Sequence, residues 1–388
     1  MSSERKRPKA ARSEPKASEV EKAASASWVA SDDCGEDTRR GDDRSAIDLD
    51  DYDFALRSEQ IAQEPPAERD GARLLRLSRG GGARSHHAIL DLPALLAPGD
   101  LLVVNTTRVL PARLRGQRTT GGAADALVLG PGSAPNRFRA LVRTRGRQRA
   151  GVKFRFAGNG AALDAELVSL AEDGEVELAF AEGASPYAIG EMPLPPYIRR
   201  SEPRAQDALR YQTVFARDPG SVAAPTAGLH LSEALLAALA ARGIERAEVV
   251  LHVGRGTFAP LSDSALRARR LHAERFALPD ATARAICAAR ERGSHVVAVG
   301  TTTARVLESC VEERGEVVAR AGTTELFLAP GDRFRAVDAL LTNFHLPRSS
   351  LLLLVAAFAG RKAVLAAYAE AIQRGYRFYS YGDAMLIL

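Results

Sequence analysis

The chain reads as an α/β (α+β) protein, with a mixed-sheet main domain into which a small all-β barrel is inserted. Two observations predict this. On either side of a central stretch, short apolar runs alternate with helical patterns and end in polar clusters, as in a sheet flanked by helices. Between about residues 113 and 195 the texture changes to short alternating runs separated by Gly and Pro, with no clear long helix.

Residues 1–46 are rich in Ala, Ser, Lys, Glu and Asp and, apart from Trp28, hold almost no large apolar side chains. Such a stretch buries too little surface to offset its ordering entropy, so a disordered tail is predicted. The fold is expected to begin near Ile47, with 47–112 and 196–388 forming one discontinuous α/β catalytic domain and 113–195 the inserted barrel. Residues 72–77 read as a strand, 91–96 as a short helix and 100–105 as a buried strand running into Asn105-Thr106-Thr107-Arg108. In the insertion the expected strands are 126–129, 138–142, 153–156, 165–170 and 176–180. Beyond Tyr197, helices are expected at 232–242, 281–292, 303–313, 350–358 and 362–374, and strands at 247–253, 295–299, 325–328 and 340–342. Ser232 is a natural N-cap and Gly243 a natural stop for the first of these helices.

Composition narrows the function. Hydrophobic residues make up 46% and charged residues 26% of 388, which suits a globular protein with a sizeable core. No apolar run approaches the ~20 residues of a membrane-spanning helix, and no secretory signal is recognisable. A cytoplasmic protein without a membrane partner is expected. Cys34, Cys287 and Cys310 form no C-x-x-C pair, so neither a metal site nor a disulfide framework is predicted. The net charge of +5 permits an RNA partner without requiring one.

Several motifs carry candidate chemistry. Gly254 and Gly256 match a dinucleotide fingerprint, but Pro260 follows where a helix would have to begin, which excludes that reading. At Gly300-Thr301-Thr302-Thr303 a buried strand runs into a helix, whose free amides and hydroxyls suit an anion, with Arg305 one turn in as a carboxylate clamp. Small residues around Thr226 and Gly228 allow close approach of a flat ligand. His230, His252 and His345 fall at element ends, where imidazoles can serve as acid or base. Asn343 shares its loop with His345, and Asp383 follows a dense aromatic run. Arg137, Arg139, Arg143, Arg145, Arg147 and Arg149 occupy alternate positions, a row able to track phosphates.

These stretches together resemble the S-adenosylmethionine:tRNA ribosyltransferase-isomerase family of queuosine biosynthesis. GDLLVVNTTRVLPARL, RYQTVFARDPGSVAAPTAGLH, GTTTARVLES, LLTNFHLPRSSLLLLVAAFAG and GYRFYSYGDAMLI run in the family's order from about Asp53 to the end. The family usually has Asp where Thr106 stands, Met at Leu271, Phe at Leu231, Gly at Ala339 and Tyr at Asp332. The resemblance implies transfer and isomerisation of the ribose of S-adenosylmethionine onto the 7-aminomethyl-7-deazaguanine base of a tRNA with a GUN-type anticodon. Epoxyqueuosine-tRNA, adenine and methionine are the products. S-Adenosylmethionine is then a co-substrate, with no permanently bound cofactor and no metal, and a monomer suffices. It implies His230, His252 and His345 as acid-base candidates, unranked. Thr301, Thr302, Thr303 and Arg305 would hold the methionine carboxylate. Asn105, Arg108, Thr226, Gly228, Asn343 and Asp383 are further substrate contacts, and Arg143, Arg145 and Arg147 RNA contacts. Two alternatives stand beside this: a weakened tRNA-binding relative, motivated by Thr106, and another S-adenosylmethionine-dependent RNA-modifying enzyme.

Overall fold

The computed structural model describes residues 47–172, 174–200, 204, 206–254, 256 and 261–388. The predicted tail at 1–46 lies outside the described residues, as do Cys34 and most of the loop after Gly254. In chain order the strands are β1 (Arg73–Leu77), β2 (Arg84–Ala88), β3 (Leu101–Asn105), β4 (Thr107–Val109), β5 (Arg113–Arg118), β6 (Ala123–Pro131), β7 (Arg137–Thr144), β8 (Lys153–Gly158), β9 (Ala161–Leu170), β10 (Val176–Phe180), β11 (Asp218–Ser221), β12 (Glu245–Leu251), β13 (Arg270–Leu278), β14 (Val296–Val299), β15 (Arg320–Leu326), β16 (Ala339–Asn343) and β17 (Ala384–Ile387). The helices are α1 (Leu92–Leu95), α2 (Asp207–Arg210), α3 (Glu233–Ala241), α4 (Asp263–Ala268), α5 (Asp280–Glu291), α6 (Thr301–Ser309), α7 (Ser350–Ala359) and α8 (Arg361–Gln373).

Nine strands form one mixed sheet in the order β15-β13-β12-β3-β14-β16-β17-β1-β2. Its middle is parallel, because β3 pairs in parallel with β12 on one side and β14 on the other, and β14 with β16. All five residues of β3 are buried, as expected for a strand covered on both faces. The chain leaves β3, returns beside it as β12, and later crosses to its other side as β14. That reversal makes a switch point at the carboxyl ends of these strands, where open α/β sheets seat their ligands.

Between β3 and β12 the chain builds a closed barrel, β10-β7-β6-β5-β8-β9. Strict alternation explains it: in β8 the buried positions are Phe154 and Phe156, and in β10 Val176, Leu178 and Phe180. The mixed sheet and the barrel are thus the architecture read from the sequence. Ser232 caps α3, its hydroxyl accepting from the Leu235 amide at 3.0 Å.

The differences have physical causes. β5 and β13 were not anticipated; each is rich in Arg or other polar residues and half exposed, so apolar alternation is weak there. The helix expected at 303–313 starts at Thr301, because Gly300 adopts φ +90° and turns the chain straight into α6, and it stops at Ser309, with Cys310 leaving helical geometry.

One segment joins the cores. Val222 packs into the barrel interior, Ala223 into the core on one face of the sheet and Ala227 into the core on the other face. Ala224 and Leu229 enter a fourth cluster with Val109, Tyr211 and Tyr381 at the junction between barrel and sheet. Among the described residues no single helix is long and apolar enough to cross a membrane.

Candidate active site at the strand ends

Asn105 ends β3 at the switch point, fully buried. Its Oδ1 accepts from the amides of Leu251 (3.0 Å) and Thr107 (3.1 Å), and its Nδ2 donates to the Leu251 carbonyl (3.1 Å) and Thr302 Oγ1 (3.4 Å). The side-chain amide pairs with β12 as a further peptide unit would, and it draws α6 to the same point. Its predicted substrate contact is therefore corrected to a brace.

Thr301, Thr302 and Thr303 open α6 directly after β14. Thr303 Oγ1 donates back to the Val299 carbonyl at 2.8 Å, a capping role. Thr301 keeps a hydroxyl without a partner among the described residues, and the first amides of α6 have no helical acceptor. Arg305 is not an open clamp: it forms a buried ion pair with Glu274 of β13, and its Nε donates to the Leu326 carbonyl at 3.1 Å. Glu274 also accepts from the Gly254 amide at 2.9 Å. Only Nη2 of Arg305 remains buried without a partner.

The three histidines separate. His345 is enclosed, with Nε2 against Thr342 Oγ1 at 2.8 Å, and burial pushes its pKa down to about 3. It is a core residue, contrary to its predicted catalytic role. His230 is buried beside β16, where Asn343 Nδ2 donates to its Nε2 at 3.0 Å and to the Tyr379 carbonyl at 3.0 Å. Burial lowers its pKa to about 4; the Asp383 carboxylate opposes that shift, and the Arg377 and Arg69 charges add to it. Because Nε2 accepts, the neutral ring carries its hydrogen on Nδ1 and acts as a donor rather than a base. His252 follows β12, half-buried, with Nδ1 against Thr107 Oγ1 at 2.9 Å. Its Nε2 has no partner among the described residues. Burial, then Arg275, lowers its pKa, so the ring is neutral and basic at neutral pH.

Two more expectations are revised. Asp383 is buried and accepts from the Arg73 amide (2.9 Å), the Arg73 guanidinium (2.9 Å) and the Arg377 amide (2.8 Å), which fixes β1 to the C-terminal segment. Gly228 serves packing: a Cβ there would meet Phe215 Cζ and Thr213 Cγ2 at 2.9 Å. Thr226 is half-buried and Arg108 exposed, neither with a side-chain partner among the described residues; Asn343 leaves its Oδ1 buried and unpartnered. Thr106 is fully buried, its hydroxyl donating to Asp218 Oδ2 at 2.5 Å.

The arginine row divides in two. Arg137 and Arg139 are held by Glu177 and Glu175. Arg143, Arg145 and Arg147 have no carboxylate partner among the described residues. The turn that follows borders an open concavity of about 880 Å³ that includes Arg118, Arg147, Arg149 and Lys153. Not foreseen in the sequence were Glu274, Asp218 and a recess beside His230 lined by Arg69, Arg210 and Tyr381. Tyr381 stood within the aromatic run; Arg69 and Arg210 looked like ordinary surface charges.

A switch-point sheet bearing neutral imidazoles, with a barrel edged by unpaired arginines, defines an α/β enzyme scaffold carrying a basic insertion. The chain belongs to the queuosine biosynthesis protein family, whose model matches residues 49–387. It is 53% identical over 348 residues to the S-adenosylmethionine:tRNA ribosyltransferase-isomerase of Anaeromyxobacter dehalogenans strain 2CP-C, covering 88% of this chain and 99% of that one. It is 50% identical to the Gloeobacter violaceus protein of the same name, over 87% of this chain and 95% of that one. A crystal structure of the S-adenosylmethionine tRNA ribosyltransferase of Thermotoga maritima is 36% identical, with a TM-score of 0.51, over 87% of this chain and 100% of that one.

The buried histidines set a stability profile. Their folded pKa values, about 4 for His230 and about 3 for His345, lie below the ordinary histidine value of 6.5. The unfolded chain therefore takes up protons first, and stability present above that value is lost as pH falls toward the folded values. Urea midpoints should drop between about pH 6.5 and 4.5, and His345→Gln should flatten that slope. Equal slopes in the two proteins would show that His345 is not protected from protonation.

Proposed function

We propose that this chain transfers and isomerises the ribose of S-adenosylmethionine onto the 7-aminomethyl-7-deazaguanine base of tRNA, giving epoxyqueuosine-tRNA, adenine and methionine. The observation that carries this is the 53% identity to a relative of that name along 99% of its length. The sulfonium acidifies the adjacent ribose carbon, a base removes a proton there, and adenine and methionine depart as the epoxycyclopentane forms. His252 is the residue best suited to be that base, since its neutral ring leaves Nε2 open at the end of β12. Thr301, Thr302, Thr226, Asn343 and Arg108 are the remaining candidates for substrate contact at these strand ends. Arg143, Arg145 and Arg147 would meet RNA phosphates, and the target base leaves its stack in a single-stranded loop. In this scheme 47–112 with 196–388 forms the catalytic domain and 113–195 the RNA-facing insertion. The enzyme works as a cytoplasmic monomer on GUN-anticodon tRNA, without a resident cofactor.

Incubation with S-adenosylmethionine and tRNA bearing the aminomethyl precursor should release adenine, with a matching mass gain on the tRNA. Formation of S-adenosylhomocysteine instead would identify a methyltransferase. His252→Ala should lower turnover by ~10²–10⁴-fold with tRNA affinity retained. In the unaltered enzyme the acid limb of kcat/KM should lie below 6.5, because the pKa of His252 is lowered and activity is lost as the base protonates. Full turnover by His252→Ala would remove it from the chemistry. Replacing Arg143, Arg145 and Arg147 by Gln should weaken tRNA binding and reduce the salt slope by about 2; an unaltered slope would assign them to a solvated face.

A further inference from the structure

The recess beside His230 sets the donors of Arg69, Arg210, His230 and Tyr381 beside Pro65, Pro66 and Leu229. Arg69 and Arg210 stand on it, and the charges around them are unevenly matched. Arg200 is answered by Asp207 and Arg204 by Glu64. Arg69 and Arg210 meet main-chain carbonyls alone: Arg69 those of Gln212, Leu229 and Leu209, Arg210 those of Ala67 and Pro66. Carbonyl dipoles do not cancel two full charges, and burial, then the charge of Arg210, disfavours the charged form of Arg69.

Two further groups point to a ligand. Tyr381 is 2% exposed and lines the recess, and its hydroxyl, which Arg200 approaches, makes no hydrogen bond of ordinary geometry among the described residues. His230 lines it as well, and its ring hydrogen on Nδ1 has no partner among the described residues. A buried hydroxyl left unpaired is costly unless something else completes it. The cavity itself is small, about 10 Å³, and opens outward: too narrow for a nucleobase but able to admit one oxygen of a group held at its mouth.

We propose that the recess between Arg69, Arg210, His230 and Tyr381 binds one oxyanion of a substrate, either a phosphodiester of the RNA or the carboxylate of the sulfonium donor. The choice between these two sources rests on the function proposed above; the oxyanion site itself does not. Guanidinium forks, a phenol and a neutral imidazole N–H supply donors to an oxyanion, and the remaining walls, Pro65, Pro66 and Leu229 among them, bring no carboxylate that would hold a cation.

Inorganic sulfate is the probe, titrated into the full-length protein at constant ionic strength while the melting temperature is followed. The wild type should be stabilised. Tyr381→Phe should melt little lower without sulfate, since the lost hydroxyl makes no well-formed hydrogen bond, yet bind sulfate about tenfold more weakly. Arg210→Gln should lose the sulfate response. With both substrates, a higher KM for tRNA in Tyr381→Phe and a shallower salt slope would assign the phosphodiester. A higher KM for S-adenosylmethionine alone would assign the carboxylate. An identical sulfate response in wild type and Tyr381→Phe, or unchanged KM values for both substrates, would overturn the proposal. A protein inactive on both substrates that still shows the sulfate pattern would refute the function while supporting the oxyanion site.

Discussion

Residues 222–229 have to satisfy four apolar clusters within eight positions, and the placement of the site follows from that constraint. Val222 faces the barrel, Ala223 and Ala227 face opposite sides of the sheet, and Ala224 and Leu229 enter the junction cluster. Close packing of interiors leaves little freedom to a segment held on so many sides. Small side chains are required because the bodies it joins approach each other closely, as the contacts of Gly228 with Phe215 and Thr213 illustrate. His230 follows immediately, so its ring is positioned by the cores before any hydrogen bond forms. The same segment ties the barrel to the sheet, which fixes the arginine-bearing rim of the barrel relative to the strand-end crevice.

The fold was largely legible because periodicity reports burial. The buried β3 run, the alternating barrel strands and the amphipathic helices all carry that signal. β13 carried little of it, since most of its first half is exposed. That single omission hid the partner of Arg305, because Glu274 lies on β13. The site was legible in a coarser sense. Polar residues do cluster at the strand ends, but sequence does not distinguish a side chain that binds a ligand from one that binds main chain. Asn105 and Asp383 are the clearest cases: each is buried, and each has its acceptors filled by backbone amides or Arg73. Arg69 and Arg210 show the opposite error, since nothing in the local sequence tells an arginine held by main-chain carbonyls from a solvated one.

The polar groups of this region therefore fall into two sets with different physics. Those with every donor and acceptor matched rigidify the strand ends and cost little, because no buried group is left unpaired. Those left incomplete, among them His252 Nε2, Asn343 Oδ1, Arg305 Nη2 and the Tyr211 and Tyr381 hydroxyls, are where an added partner would lower the free energy most. Keeping the imidazoles neutral serves the same end. A charged ring would repel a sulfonium nucleoside, whereas a neutral one can accept or donate a proton without that repulsion.

Thr106 is the departure from family pattern that most invited doubt about activity, and its surroundings bear on that doubt. It is fully enclosed, with its hydroxyl donating to Asp218 and lying 3.3 Å from the Val249 carbonyl. A carboxylate in its place would stand directly against that of Asp218, and like charges so close cannot both remain ionised, so one of the two would have to hold a proton. A threonine hydroxyl supplies at all pH values the donor that an acid supplies only when protonated. The substitution thus preserves the hydrogen bond to Asp218 and leaves a carboxylate in this corner of the fold. Because residue 106 has no exposed surface, its change alters the support of β4 and β11 more than any surface offered to substrate. The physical case for a weakened relative built on this one position accordingly falls away.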